Sequence, residues 1–291
     1  MIKRKGQIDS FSLLLITIIV IFIIVGLIIL FFYINTNQNK VIIIEQPYYD
    51  AFNNTKYLIQ KNVTIKSIKI ASWNLQIFGI KKAGEVDVMN FYKQKLSPYD
   101  IIFIEEVRDS SGTAFKSLCL MFNGYNCNIS ERDGRSNSKE QIGVIYKDYI
   151  NVVSLYNIPD PNDVYERSPT KIIINVSNII YTFYVVHTKP DDVVNELRGL
   201  ETFSNNDSYN TIIIGDLNAD CDYYNTKQTK LFKEWEWLIP DDADTTVSSN
   251  NCAYDRIIIK NVSNILSYGI DSKGIYSMYS DHYIVFVEFG G

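Results

Sequence analysis

"AYDRIIIKNV", residues 253–262, sets an aspartate and an arginine, Asp255 and Arg256, directly before the apolar run Ile257–Ile259. A short unbroken apolar run bounded by polar residues reads as a strand buried on both faces. Charge at the mouth of such a strand is costly to desolvate, and a neutral turn would cost less. One such placement is an accident. A series of them marks a shared polar rim.

The rest of the chain supplies the series. "IKIASWNLQIFG" (68–79) runs apolar into Asn74, and "YDIIFIEEVRD" (99–109) ends in Glu105, Glu106, Arg108 and Asp109. "YTFYVVHTKP" (181–190) delivers His187, and "IIIGDLNAD" (212–220) delivers Asp216 and Asn218 after a glycine. "YSDHYIVFVEF" (279–289) sets Asp281 and His282 before the last strand. The apolar pattern predicts strands at 68–73, 101–104, 142–146, 172–176, 179–186, 211–214, 256–259 and 283–289, with helices near 84–96, 111–122 and 190–203. Several strands follow one another with no crossover helix. The reading is therefore one mixed, largely antiparallel, layered α/β domain over 67–291, not a doubly wound parallel sheet. In such a sheet the start of one strand lies beside the end of its antiparallel neighbour, so all these tips can share one rim.

The N-terminus reads differently. Lys3, Arg4 and Lys5 precede the uncharged run "FSLLLITIIVIFIIVGLIILFFYI", residues 11–34. A spanning helix needs about 20 apolar residues, whereas the apolar core of a cleaved signal is about 7–15 long. "NTNQNK" follows, without a small-residue cleavage pattern. The expectation is a basic cytoplasmic tail (1–10), a single transmembrane signal anchor (11–34), a linker (35–66) and an extracytoplasmic domain. Leaving out Lys3, Arg4, Lys5 and Asp9, which together carry +2, moves the net charge from −5 to −7. An acidic domain of this kind is no general nucleic-acid coat. To act on phosphates it needs metal ions and a few placed arginines.

Both histidines of the chain, His187 and His282, stand at the polar tips. Histidine transfers protons near neutral pH, and a carboxylate neighbour fixes its tautomer. Glu, Asp and Asn oxygens suit hard divalent ions, Mg²⁺ above all. The set describes metal-assisted hydrolysis of a phosphoester better than acyl transfer, since no G-x-S-x-G offers a serine nucleophile. The four cysteines lack the C-x-x-C spacing of a zinc site, and an even count outside the cytoplasm permits disulfides.

In this order "WNLQIFG" (73–79), "EEVRD" (105–109), "HTKP" (187–190), "GDLNAD" (215–220) and "SDH" (280–282) resemble the endonuclease/exonuclease/phosphatase superfamily. "EWEWLIPDDADTTVSSNNCAYDRI" (234–257) is similar to its deoxyribonuclease I branch almost throughout. The resemblance implies a four-layered α/β/β/α sandwich with two mixed, mostly antiparallel sheets. It also implies cleavage of DNA (RNA stays open) to 5′-phosphate products with Mg²⁺ or Mn²⁺, and Ca²⁺ as a structural or activating ion. Carried across, Asn74, Glu106, Asp216 and Asn218 match metal and phosphate ligands, with Asp281 beside them. His187 matches the histidine that protonates the leaving oxygen, oriented by Glu140. His282 matches the base toward water, partnered by Asp255. Arg108, Arg135 and Arg167 match backbone-contacting arginines, although Arg108 could instead pair with Asp109, and Arg167 with Glu166. Asp244 and Thr246 match a structural calcium site, with Asp163 a remnant of a second. Cys221 and Cys252 match a structural disulfide, while Cys119 and Cys127 have no counterpart and are read equally as a bridge or as two thiols.

Two positions depart from the pattern. Ser138 stands where the resemblance expects a tyrosine that packs in the minor groove, and Glu105 stands where it expects glutamine. Two rival readings remain open at this point: a sphingomyelinase-like phospholipid phosphodiesterase of the same superfamily, and an inactive binding module on the same fold.

Overall fold

The computed structural model describes residues 41–50, 55–64, 66–207 and 210–290. Strands and helices are numbered in chain order. One six-stranded sheet runs, edge to edge, β13 (Ile265–Asp271), β14 (Ile284–Gly290), β3 (Ser67–Phe78), β4 (Ile101–Val107), β6 (Gln141–Lys147) and β5 (Tyr125–Ile129). The other runs β11 (Glu236–Trp237), β12 (Asp255–Lys260), β10 (Asn210–Asp216), β9 (Ile179–His187), β8 (Thr170–Val176) and β7 (Asn151–Asn157). Each sheet holds one parallel pair, β3–β4 and β9–β10, and every other neighbour is antiparallel.

Side-chain alternation builds the layers. Ile68 and Ile70 of β3, Phe103 of β4, Val185 of β9, Ile212 and Ile214 of β10 and Ile257 of β12 meet in the core between the sheets. Phe103 and Phe183 cross from opposite sheets with ring centroids 5.2 Å apart. The intervening residues face outward. Ala71, Trp73 and Leu75 pack under α2 (Val86–Leu96) and α3 (Thr113–Cys119). Ile213 and Ile258 pack under α4 (Val193–Ser204), which follows a 3-10 turn at Pro190–Asp192. Two outer cores and one inner core give the expected α/β/β/α sandwich. A short helix, α1 (Ile80–Gly84), leads from β3 into α2.

Within the segment read as a linker, β1 (Val41–Asp50) and β2 (Thr55–Thr64) pair antiparallel as a two-stranded ribbon. The anchor expected at 11–34 lies outside the described residues, and among those described no helix is long and apolar enough to cross a membrane. Both cysteine pairs are bridged, Cys119 to Cys127 and Cys221 to Cys252.

Candidate active site

Strand register sets the site. Asp216, the last residue of β10, lies opposite His187 of β9 and opposite Asp255 of β12. All three share the parity of Val185, Ile214 and Ile257, so all three face the space between the sheets. Across that space Asn74 of β3 pairs with Glu105 of β4. Glu106 should then face outward. Its left-handed backbone, φ 55°, breaks the alternation, and its carboxylate accepts a hydrogen bond from Asn74 Nδ2 at 3.2 Å. The β3 tip is bent in the same way, with φ 48° at Gln76 and 55° at Ile77. The Ile77 amide donates to the other Glu106 oxygen at 2.9 Å.

Asp216 Oδ2 is the centre. His187 Nε2 approaches it at 3.5 Å, His282 Nε2 at 3.4 Å, and Asn74 Nδ2 donates to it at 3.1 Å. Each imidazole is backed by its own carboxylate. His187 Nδ1 meets Glu140 Oε1 at 2.5 Å, and His282 Nδ1 meets Asp255 Oδ2 at 2.8 Å. Asp281 stands on the open side, with Oδ1 3.7 Å from His282 Nε2. Asn218 holds the loop after β10, its amide donating to the Thr188 carbonyl at 3.0 Å.

The carboxylates set the protonation states. Burial opposes charge on His187, but Glu140 and its hydrogen bond outweigh that and raise the imidazole to about 9. His282 is likewise disfavoured by burial, yet Asp255 and Asp216 lift it well above its usual value. In return, His282 and His187 overcome the burial of Asp216 and hold its carboxyl below the usual range. Burial raises Asp255 despite the adjacent His282. Burial also pushes Glu105 up to about 8, helped by Asp255 and Asp216.

The arginines behave differently from one another. Arg108 pairs with Glu106 at 3.1 Å, and its Nε lies 3.1 Å from Glu140 at ion-pair distance without hydrogen-bond alignment. Arg167 pairs with Glu140 at 2.9 Å and donates to the His187 and Thr188 carbonyls, both at 3.1 Å. Neither takes the Asp109 or Glu166 partner left open by the sequence. Arg135 stands apart: its guanidinium is held by the side chain and carbonyl of Asp163, and no contact ties it to the histidines. Asp163 is thus engaged by an arginine. Ser138 is exposed in the loop between Asp133 and Glu140, which pair as an isolated bridge. Asp244 and Thr246 do come together, with Thr246 Oγ1 3.0 Å from Ser248 Oγ and 3.0 Å from the Asn250 carbonyl. The Asp244 carboxylate accepts the Thr246 amide at 3.1 Å.

A divalent ion fits this donor set. Asp216, Asp255 and His282 offer ligand atoms within 4.8 Å of one another, and Glu106 and Asn74 add hard oxygen chemistry beside them. Asp281 Oδ1 is buried with no hydrogen-bond partner. Only Asp216 belongs both to this close triad and to the metal set read from the sequence.

Three supporting residues escaped the sequence reading. Ser280 Oγ donates to the Asn74 carbonyl at 2.5 Å and accepts the His282 amide at 3.0 Å. Trp73 Nε1 donates to the His282 carbonyl at 2.8 Å. Thr245 Oγ1 accepts the Asp255 amide at 3.0 Å. All three lie inside stretches that carry the resemblance, Ser280 in "SDH", Trp73 in "WNLQIFG" and Thr245 in the segment 234–257, which was the available signal.

The family model for the Endonuclease/Exonuclease/phosphatase family matches residues 71–282. Mouse Deoxyribonuclease-1-like 2 is 34% identical over 215 residues, covering 66% of this chain and 76% of that protein. Human Deoxyribonuclease-1 is 33% identical over 220 residues, covering 66% and 77%. Among solved structures, a family protein from Bacteroides thetaiotaomicron superposes with a TM-score of 0.59 at 15% identity, covering 78% of this chain and 99% of that one. That match speaks to the fold alone. The chain belongs to the endonuclease/exonuclease/phosphatase family and is a metal-dependent nuclease hydrolase of the deoxyribonuclease I type.

Proposed function

We propose that the domain is an endonuclease that hydrolyses DNA to 5′-phosphate ends, and that residues 11–34 anchor it in a membrane with residues 1–10 cytoplasmic and 67–291 outside. The carrying observation is the pair of imidazoles on one carboxylate oxygen, each backed by a carboxylate of its own. Two disulfides accord with an oxidising compartment.

The two histidines divide the proton transfers. Glu140 fixes His187 through Nδ1, leaving Nε2 toward the cleft, and keeps the ring protonated at neutral pH. His187 is therefore the acid that protonates the departing 3′ oxygen. Asp255 fixes His282 in the same way; without a cation the carboxylates hold this ring charged, so His282 acts as the base toward the water that attacks phosphorus in line only where a bound cation offsets their pull. Asn74, Glu106, Asp216, Asn218 and Asp281 would hold Mg²⁺ or Mn²⁺. A cation bound there supplies positive charge against the phosphate and offsets the carboxylate pull on the imidazoles. Arg108 and Arg167 stiffen Glu140 and present their remaining N–H groups to the phosphate backbone. Arg135 reaches DNA by exchanging Asp163 for a phosphate. That exchange costs little, because Asp163 is 81% exposed. Asp244 and Thr246 are the place for a structural Ca²⁺.

DNA is favoured over a phospholipid because the relatives at one-third identity are deoxyribonucleases by name. The test is incubation of the full chain with plasmid DNA and, separately, sphingomyelin vesicles. The expected result is nicked plasmid whose ends T4-type ligase reseals without prior phosphorylation, and no phosphocholine release. Phosphocholine release with intact plasmid would overturn the reading.

A further inference from the structure

Glu105 is fully buried at the rim, on β4, yet its strongest partners lie elsewhere. One oxygen accepts the Asp216 amide from the opposite sheet at 2.7 Å, and the other accepts Ser72 Oγ from neighbouring β3 at 2.6 Å. Each oxygen has one donor, so the carboxyl head cannot swing. Gly215 closes over it: a Cβ there would come within 3.2 Å of the Glu105 carboxyl carbon and 2.2 Å of the Val186 carbonyl, at a backbone φ of +136°. Only glycine lets the β10 backbone lie this close. The Glu105 head is thereby seated against the peptide that carries Asp216.

We propose that Glu105 is a positioning residue whose side-chain oxygen, spanning the two sheets, fixes the Asp216 backbone and hence the place of the Asp216 carboxylate between His187 and His282. The proposal rests on the nuclease reading above. Asn74 and the Asn218 amide each hold one Asp216 carboxylate oxygen, at 3.1 Å, but both act on the side chain. Glu105 acts on the main chain, so its loss displaces the carboxylate even when those contacts persist. The Asp216 N–H needs an acceptor, and a charge is not required. A glutamine would offer its oxygen to Asp216 and its amide to Ser72 Oγ, which makes the departure from the expected glutamine conservative in geometry.

The experiment compares parent, Glu105→Gln and Glu105→Leu as full chains on supercoiled plasmid, measuring kcat, KM for DNA and the Mg²⁺ concentration at half-maximal rate, with circular dichroism as the control for folding. Glu105→Leu is expected to lose kcat by roughly tenfold or more, as one buried amide goes unpaired. Its Mg²⁺ midpoint is expected to rise, a change that a smaller folded fraction would not produce, with KM within about twofold of the parent. Glu105→Gln is expected to restore both kcat and the Mg²⁺ midpoint. Parental kcat and midpoint in folded Glu105→Leu would overturn the proposal. If Glu105→Leu does not fold, Glu105→Gln decides alone: a folded Gln variant with a tenfold loss would mean that charge, not the acceptor, is needed. A parent that cleaves no DNA under any divalent ion would instead refute the nuclease reading.

Discussion

Asp255 and Arg256 are adjacent in the chain and point to opposite faces of β12. Asp255 faces the inner space and orients His282. Arg256 faces outward, fully buried, donating to the Ile239 and Ala219 carbonyls at 2.8 Å each and pairing with Asp241 at 3.1 Å. It fastens the loop after β10 to the segment after β11. Replacing it with methionine is expected to lower stability by about 1–3 kcal/mol, read as a urea midpoint, because two buried carbonyls lose their donors. His187 carries a pH dependence. Its folded value, about 9, exceeds the ordinary imidazole value of 6.5, so its contribution is complete below pH 6.5 and disappears as pH rises toward 9. The urea midpoint of metal-free protein is expected to fall across that window, and to fall less steeply in His187→Gln. The charged and imidazole residues were legible because their placement at strand tips costs free energy that only a site recovers. The supporting roles of Trp73 and Thr245 were not, although both lie in the resembling stretches, because a tryptophan in an apolar run and a threonine in a loop fit ordinary packing equally well.

At the scale of elements, legibility followed burial. The eight inner strands, β3, β4, β6, β8, β9, β10, β12 and β14, all fall where the apolar runs predict them. The strands the sequence did not reveal, β5, β7, β11 and β13, are the edges of the two sheets. Edge strands bury one face at most: β5 "YNCNI" alternates exposure residue by residue, β7 "NVVSLYN" does so but for one break at Ser154–Leu155, and β11 has only two residues. Polar residues tolerated at an edge erase the signal that a core strand must carry. The disulfides divide along the same line. Cys119–Cys127 ties α3 to the edge strand β5, eight residues apart, whereas Cys221–Cys252 spans 31 residues between the loop that carries Asn218 and the loop that leads into Asp255. Replacing the first pair by serines is expected to cost roughly 2–3 kcal/mol with kcat retained. Replacing the second is expected to cost roughly 3–4 kcal/mol and to lower kcat as well. Thermal melts and plasmid nicking on both double variants check this.

The whole molecule joins two sheets so that the carboxyl ends of both parallel pairs open on one cleft, and residues from 74 to 282 meet around one aspartate. The order of motifs made that meeting legible. The conversion of Glu105 from an apparent extra charge into a link between sheets was not, because it depends on the approach of β10. A domain with 21 lysines and arginines against 30 aspartates and glutamates over residues 67–291, net −9, must hold DNA through few cations. If Arg108, Arg135 and Arg167 are the phosphate contacts, log affinity against log salt is expected to have a slope of roughly −3. A slope beyond about −6 would require basic contacts that this rim lacks.

The most direct measurement is conversion of supercoiled plasmid to nicked circles by the full chain, its His187→Ala variant and its His282→Ala variant, with Mg²⁺ and with chelator. Nicking by the parent in Mg²⁺ alone, and by neither folded variant, is the expected result. Undiminished nicking by either variant, or by the parent in chelator, would contradict a site in which two imidazoles work across Asp216.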